Sequence, residues 1–227
     1  MELNNSTLHH VIVDTLLTRG WAPSARELAE RFGVERARLS RALRELADYH
    51  GVVLHPDSHE IWVVHPFSAA PTNFLVRSGA LEWWGNCAWC SLGVAALAGG
   101  TADMTTALGA AGRQVTVRVV DHEVLDKDFV VHFPVSMVNV WNNVVFSCSM
   151  MLLFETEQDV DRWCRKRGKA KGDVRPIEQV WRFAAEWYGR HRDPDWTKWT
   201  PDEAIAMFAR HGLDGPIWAL PGGGERF

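Results

Sequence analysis

The order of predicted elements at the start of the chain constrains the fold most strongly. Apolar residues recur at helical spacing over residues 8–16, 25–32 and 34–49, which predicts three helices. Two short runs rich in Val and Ile, residues 51–54 and 61–64, follow and predict a strand pair joined by a turn. Three helices and then a hairpin are typical of a winged helix-turn-helix module.

Short strands and helices are mixed through the rest of the chain. Residues 81–97 predict a buried helix, residues 101–107 and 114–120 a strand pair, and residues 144–154 a buried central strand. We therefore predict an α+β fold, with the winged helix-turn-helix-like module packed on a small mixed or antiparallel sheet with helices. The predicted division is 1–66 for this module, 67–170 for a thiol-bearing domain and 171–227 for a helical C-terminal extension.

Composition indicates a soluble globular protein. The chain has 227 residues, of which 47% are hydrophobic, and a formal net charge of −4, so it has no general attraction to nucleic acid or to an anionic membrane. No secretory signal pattern is present, and no apolar run reaches the length of about 18 residues that a membrane span needs. We expect a cytoplasmic protein whose cysteines are reduced.

The third predicted helix carries four arginines that could contact DNA phosphates. They are Arg36, Arg38, Arg41 and Arg44. Against DNA binding stand Glu35, Glu45 and Asp48, the negative net charge, and the absence of Asn and Gln from this helix. A structural or lid role is therefore favoured. The alternative is a winged-helix regulator whose thiols sense a metal or an oxidant.

Cysteines provide the strongest chemical signal in the chain. Cys87 and Cys90 are three residues apart, so on a helix they share a face, and Cys148 lies in the predicted buried strand. Thiolates gathered around one cavity would bind a soft cation such as mercury, copper(I) or zinc. Cys164 is predicted to be a packing residue or a surface thiol, because free cysteines often serve as small hydrophobic residues.

Two other thiol sites fit the pattern less well. A structural zinc site with four cysteines would need a second closely spaced pair, which Cys148 and Cys164 do not form. A thioredoxin-type redox site places its cysteines at a helix start after a strand, whereas this helix is predicted to begin at Leu81. The ten histidines are scattered, and no pair has metal-ligand spacing on a predicted helix.

Two short motifs resemble those of organomercurial (alkylmercury) lyases. The segment Ala88–Gly93 resembles the Ala-Trp-Cys-x-Leu-Asp motif of that family, and Phe146-Ser147-Cys148 resembles its second, Phe-Cys-type thiol segment. The similarity covers roughly the first 170 residues in order and arrangement. It implies that Cys90 and Cys148 coordinate an R–Hg⁺ group while an acid protonates the departing carbon, with no cofactor required.

The chain departs from this family where the carboxylate is expected, because Gly93 stands there. Candidates for the missing proton donor are the thiol of Cys87, the acid Glu82 two turns earlier on the predicted helix, Asp103, or water. Cys87 lies beside Cys90 on the helix and could be a third metal ligand, although it could equally be a packing residue.

The leading hypothesis is an alkylmercury lyase-like enzyme that cleaves a carbon–mercury or related carbon–metal bond. The first alternative is a diverged member that binds a soft metal or another substrate without lysis, and the second is the thiol-sensing regulator. Its expected partners are an organometal or other small molecule and cellular thiols, with no membrane and no DNA. The predicted site residues are Cys87, Cys90, Cys148 and Glu82.

Overall fold

The computed structural model describes residues 1–221, so residues 222–227 of the predicted extension lie outside the described part. Three helices open the chain: α1 (Asn5–Arg19), α2 (Ala25–Phe32) and α3 (Arg36–Asp48). A hairpin of β1 (Val53–Leu54) and β2 (Ile61–Val64) follows them. The predicted helices and hairpin are therefore present, while their assignment as a winged helix-turn-helix stays a prediction.

The larger sheet has eight antiparallel strands in the order β1-β2-β3-β5-β4-β6-β7-β8. Its further strands are β3 (Phe67–Ser68), β4 (Phe74–Ser78), β5 (Leu81–Gly85), β6 (Ala102–Ala107), β7 (Gln114–Val120) and β8 (Glu123–Val124). The predicted pairing of residues 101–107 with 114–120 is confirmed. Because β2 pairs with β3, the sheet continues across the predicted boundary at residue 66.

A second sheet has three strands, with β9 (Val130–Phe133) between β10 (Leu153–Phe154) and β11 (Asp173–Pro176). The remaining α-helices are α4 (Ala88–Leu97), α5 (Val144–Met150), α6 (Glu157–Arg167), α7 (Ile177–Tyr188) and α8 (Pro201–Arg210). Helix α4 packs between α7 and the larger sheet, and most of its side chains are buried, which suits a helix that is apolar on all sides. The fold is α+β, as predicted. In the described part of the chain, no helix has both the length and the apolar character needed to cross a bilayer.

The prediction of one helix over residues 81–97 is wrong. Residues 81–85 form β5, where burial alternates between Trp83 and its neighbours, and α4 begins only after Cys87. The Cys87 side chain caps the helix by accepting a hydrogen bond from the Cys90 N–H at 3.3 Å. The tryptophans at 83 and 84 suit a strand that pairs with β4 as well as they suit a helix, so the apolar run alone did not distinguish the two.

The prediction of a buried strand over residues 144–154 is also wrong for most of its length. Residues 144–150 form helix α5, and only Leu153–Phe154 pair as a strand. The Asn143 side chain starts the helix by accepting a hydrogen bond from the Phe146 N–H at 2.9 Å. Cys148 therefore reaches the core from a short helix.

Candidate active site

Three of the four cysteines meet at the N-terminus of α4. Cys87 is the capping residue, Cys90 lies in the first turn, and Cys148 reaches them from α5. All three are buried, with 0%, 1% and 3% of their surface exposed, respectively. The structure thus brings the three predicted thiols together, although helix α4 starts later than the sequence predicted.

His65 joins this cluster, and sequence reasoning missed it. Its Nδ1 atom lies 3.5 Å from the Cys90 Sγ. The ligand atoms of His65, Cys90 and Cys148 all lie within 4.8 Å of one another. His65 belongs to the short connector between β2 and β3, so no periodicity linked it to either cysteine. Two sulfurs and an imidazole form a donor set suited to a soft metal ion.

Cys90 is the cysteine whose surroundings favour the thiolate. Burial raises its pKa, but hydrogen bonds from Cys148, Cys87 and His65 outweigh burial and hold the pKa well below the usual range of a thiol. Burial raises the pKa of Cys87, and hydrogen bonds to Cys87 and Cys90 raise that of Cys148. The surroundings therefore favour the thiolate at Cys90 and the protonated thiol at Cys87 and Cys148.

Replacing His65 by alanine is expected to shift the pH dependence of the reactivity of the Cys90 thiol. The histidine lowers the Cys90 pKa, so the wild-type thiolate persists as the pH falls below the range in which an ordinary thiol becomes protonated. Without His65 the pKa of Cys90 rises, so its alkylation by iodoacetamide should fall off at a higher pH as the pH is lowered. Rates of Cys90 alkylation across neutral pH measure this, and superimposable profiles would show that His65 does not tune the thiolate.

A cavity of about 40 Å³ lies next to the thiols, large enough for a few water-sized groups. Its walls are mostly aromatic and aliphatic, and include Trp89, Trp141 and Trp187. No aspartate or glutamate lines it within residues 1–221. The predicted N-terminal, central and C-terminal segments all contribute side chains to its wall.

Three polar side chains of this cavity, those of His9, His191 and Tyr188, are uncharged near pH 7. Burial is the main cause that lowers the pKa of His9 and brings that of His191 to about 3, so both imidazoles are neutral near pH 7. Burial, and then the charge of Cys90, raise the pKa of Tyr188, whose hydroxyl oxygen lies 3.3 Å from the Cys90 Sγ. The phenol therefore stays protonated.

The predicted acids lie elsewhere. Glu82 is on β5 and not on the thiol-bearing helix, its side chain is 61% exposed, and it pairs with Arg77 at 3.1 Å. The prediction that Glu82 lies two turns before Cys90 is therefore wrong, because the residues between them form a strand end and a turn. Asp103 is exposed on β6 and does not line the cavity. Cys164 is buried on α6, 3.8 Å from His132, which fits a packing residue and excludes a surface thiol.

The N-terminal helices pack against the thiol-bearing part of the chain. The Trp83 indole donates a hydrogen bond to the Leu16 carbonyl at 2.7 Å, and Arg192 pairs with Asp14 at 2.8 Å. The four arginines of α3 are exposed. Helix α1 thus packs against the thiol-bearing part of the chain, while the arginine-bearing face of α3 is open to solvent.

Close thiols and an imidazole at a buried, apolar cavity define a thiol-dependent site for a soft metal or its compounds. The alkylmercury lyase (MerB) family model matches residues 67–189, more than half of the chain, and the chain belongs to this family. The resemblance seen in the motifs is thereby confirmed, and the family is one of lyase-type enzymes that act on mercury compounds without a cofactor. Copper and zinc gain no support.

The solved structure of the mercury-bound form of MerB2 has a similar fold. Its TM-score is 0.63, with 14% sequence identity over 84% of this chain and 100% of that chain. No curated protein sequence matches. At this identity the likeness establishes the fold alone, and the roles of individual residues rest on the geometry of the site.

Proposed function

We propose that this protein is an alkylmercury lyase that cleaves a carbon–mercury bond by thiolate coordination and protonolysis. The observation that carries the proposal is the group formed by His65, Cys90 and Cys148, whose ligand atoms lie within 4.8 Å of one another in a buried site. The Cys90 thiolate attacks mercury in R–Hg–SR′ and displaces the carrier thiolate. Cys148 is placed to become the second sulfur ligand. Two soft anions on mercury weaken its bond to carbon, and a proton then completes release of the hydrocarbon R–H.

Cys87 has a different role in this proposal. It lies outside the group of three close ligand atoms, and its Sγ caps α4 and lies 3.9 Å from the Met151 sulfur. Its raised pKa keeps it protonated, so it hydrogen-bonds to the Cys90 thiolate. We propose that Cys87 stabilises the thiolate before mercury arrives and that Cys90 and Cys148 hold the metal. Cellular thiols then remove the Hg²⁺ product, which suits the reduced cytoplasm.

Turnover of methylmercury and phenylmercury tests this function directly. Wild-type protein with excess thiol is expected to release methane and benzene, measured by gas chromatography of the headspace. Cys148→Ser should release neither above the rate without protein, because only one sulfur remains to activate the carbon–mercury bond. Wild-type protein that releases no more hydrocarbon than Cys148→Ser would exclude lysis.

Binding of mercury without lysis is a second candidate, and it is favoured by one observation. Gly93 replaces the family's carboxylate, and no described acid lines the cavity. In that case the wild-type protein would retain one equivalent of methylmercury in native mass spectrometry and release no methane. The two candidate functions thus differ in whether the carbon group is released as a hydrocarbon or stays bonded to mercury.

A further inference from the structure

The space next to Gly93 is filled by the ring of Tyr188. A Cβ atom built on Gly93 would lie 2.1 Å from the Tyr188 Cδ2 and 2.7 Å from its Cε2. Gly93 is three residues after Cys90 in α4, so any side chain there would project on the same face as the thiolate. Tyr188 comes from α7 and takes the volume that an aspartate at position 93 would need.

The hydroxyl of Tyr188 is aimed at the reacting sulfur. Its oxygen lies 3.3 Å from the Cys90 Sγ, and Tyr188 is 2% exposed and lines the cavity. Aromatic neighbours hold the ring, with Trp89 at 5.4 Å and His191 at 4.9 Å between ring centroids. The position of the phenol is therefore set by packing and does not depend on a flexible side chain.

The other polar groups of the cavity are less well placed to serve as the acid. His65 contacts Cys90, but it belongs to the donor group that would surround the metal. The Lys198 ammonium lies 3.2 Å from His50 and 5.6 Å from the centroid of the Trp141 ring. Tyr188 combines an O–H group, contact with the Cys90 sulfur and a place outside the three close ligand atoms.

We propose that the Tyr188 hydroxyl is the proton donor to the departing carbon, in the place of the family's carboxylate. The inference rests on the lyase function proposed above. In the step, the Cys148 sulfur binds mercury in Cys90-S–Hg–R as its S–H proton passes to the Tyr188 oxygen. The Tyr188 O–H proton passes to the carbon at the same time, and the electron pair of the breaking carbon–mercury bond forms the new carbon–hydrogen bond. Overall, the R–Hg–S group and one S–H group give R–H and S–Hg–S. Tyr188 ends the step protonated, as it began.

The variant Tyr188→Phe tests the proposal, with Tyr49→Phe as its matched control. These are the two tyrosines of the chain, and Tyr49 does not line the cavity, so the control makes the same chemical change away from the thiols. Tyr188→Phe keeps the ring that packs on Gly93 and removes only the hydroxyl. Single-turnover release of benzene from bound phenylmercury should slow by about a hundredfold or more, the usual contribution of a general acid. Tyr49→Phe should react at the wild-type rate, and both variants should bind phenylmercury as the wild type does.

A carboxylate exchange separates proton donation from packing. In Gly93→Asp/Tyr188→Ala the ring is gone and an acid projects on the face of Cys90, so benzene release should be about tenfold or more faster than in Tyr188→Ala alone. If the wild type releases benzene and Tyr188→Phe releases it at the same rate, Tyr188 is not the proton donor, and the lyase function still stands. Loss of phenylmercury binding in Tyr188→Phe would assign the hydroxyl to binding and overturn proton donation. No gain from the exchange would assign the tyrosine ring to packing. No lysis by the wild type overturns both proposals.

Discussion

Replacing Cys90 by serine is expected to abolish both capture of methylmercury and release of methane. The thiolate at this position is the nucleophile of the proposed reaction, and a serine hydroxyl is neither ionised near pH 7 nor a soft ligand. The release rate should fall by roughly a thousandfold or more, the order seen when a catalytic nucleophile is removed. Capture should be lost as well, because Cys148 keeps its proton and a single thiol remains in the group of three. Stoichiometric binding by native mass spectrometry and headspace methane measure the two effects.

Cys164→Ser is the matched control for this experiment. Cys164 is buried in α6 and contacts His132 and the Ala170 carbonyl, but it does not line the cavity. The change from sulfur to oxygen is the same, so a general effect of losing a buried thiol would appear in this variant. We expect wild-type binding and release. Equal losses in Cys90→Ser and Cys164→Ser would mean that the thiol cluster at α4 is not the site of reaction.

The thiols of this site could be predicted from the sequence because each lies in a short motif of neighbouring residues. Ala88-Trp89-Cys90 is a short motif, and Cys148 is the last residue of a second one, so neither required knowledge of the packing. The elements that carry these thiols were predicted wrongly, because continuous apolar runs fit a buried strand and a buried helix equally. In the structure the side chains of Cys87 and Asn143 cap α4 and α5 by accepting hydrogen bonds from backbone N–H groups three residues later, and the apolar pattern alone carried no sign of these caps.

His65 and Tyr188 could not be found in this way. Tyr188 is 98 residues from Cys90 and His65 is 25 residues away, so their contacts depend on how α7 and the β2–β3 connector pack around α4. No spacing rule links such positions. One signal was available: a glycine where the family has an acid indicated that another side chain could fill the space, but the sequence did not indicate which.

Gly93→Ala is expected to destabilise the protein because the added Cβ would clash with the Tyr188 ring. The added Cβ would lie 2.1 Å from the tyrosine ring, and α4 is buried between α7 and the sheet, so neither side can move freely. Overpacking of this kind costs about 1–3 kcal/mol of unfolding free energy. Urea denaturation of the wild type and of Gly93→Ala measures the cost.

The effect of Gly93→Ala on the free energy of unfolding should change sign when the Tyr188 ring is removed. In a Tyr188→Ala background the Cβ meets no ring, and alanine is favoured over glycine in a helix by about 1 kcal/mol, so Gly93→Ala should stabilise that protein. In a Tyr188→Phe background the ring remains, and the cost should match that in the wild type. This double-mutant cycle isolates the contact between the two positions. An equal cost in all three backgrounds would show that something other than Tyr188 occupies the space where the family places its acid.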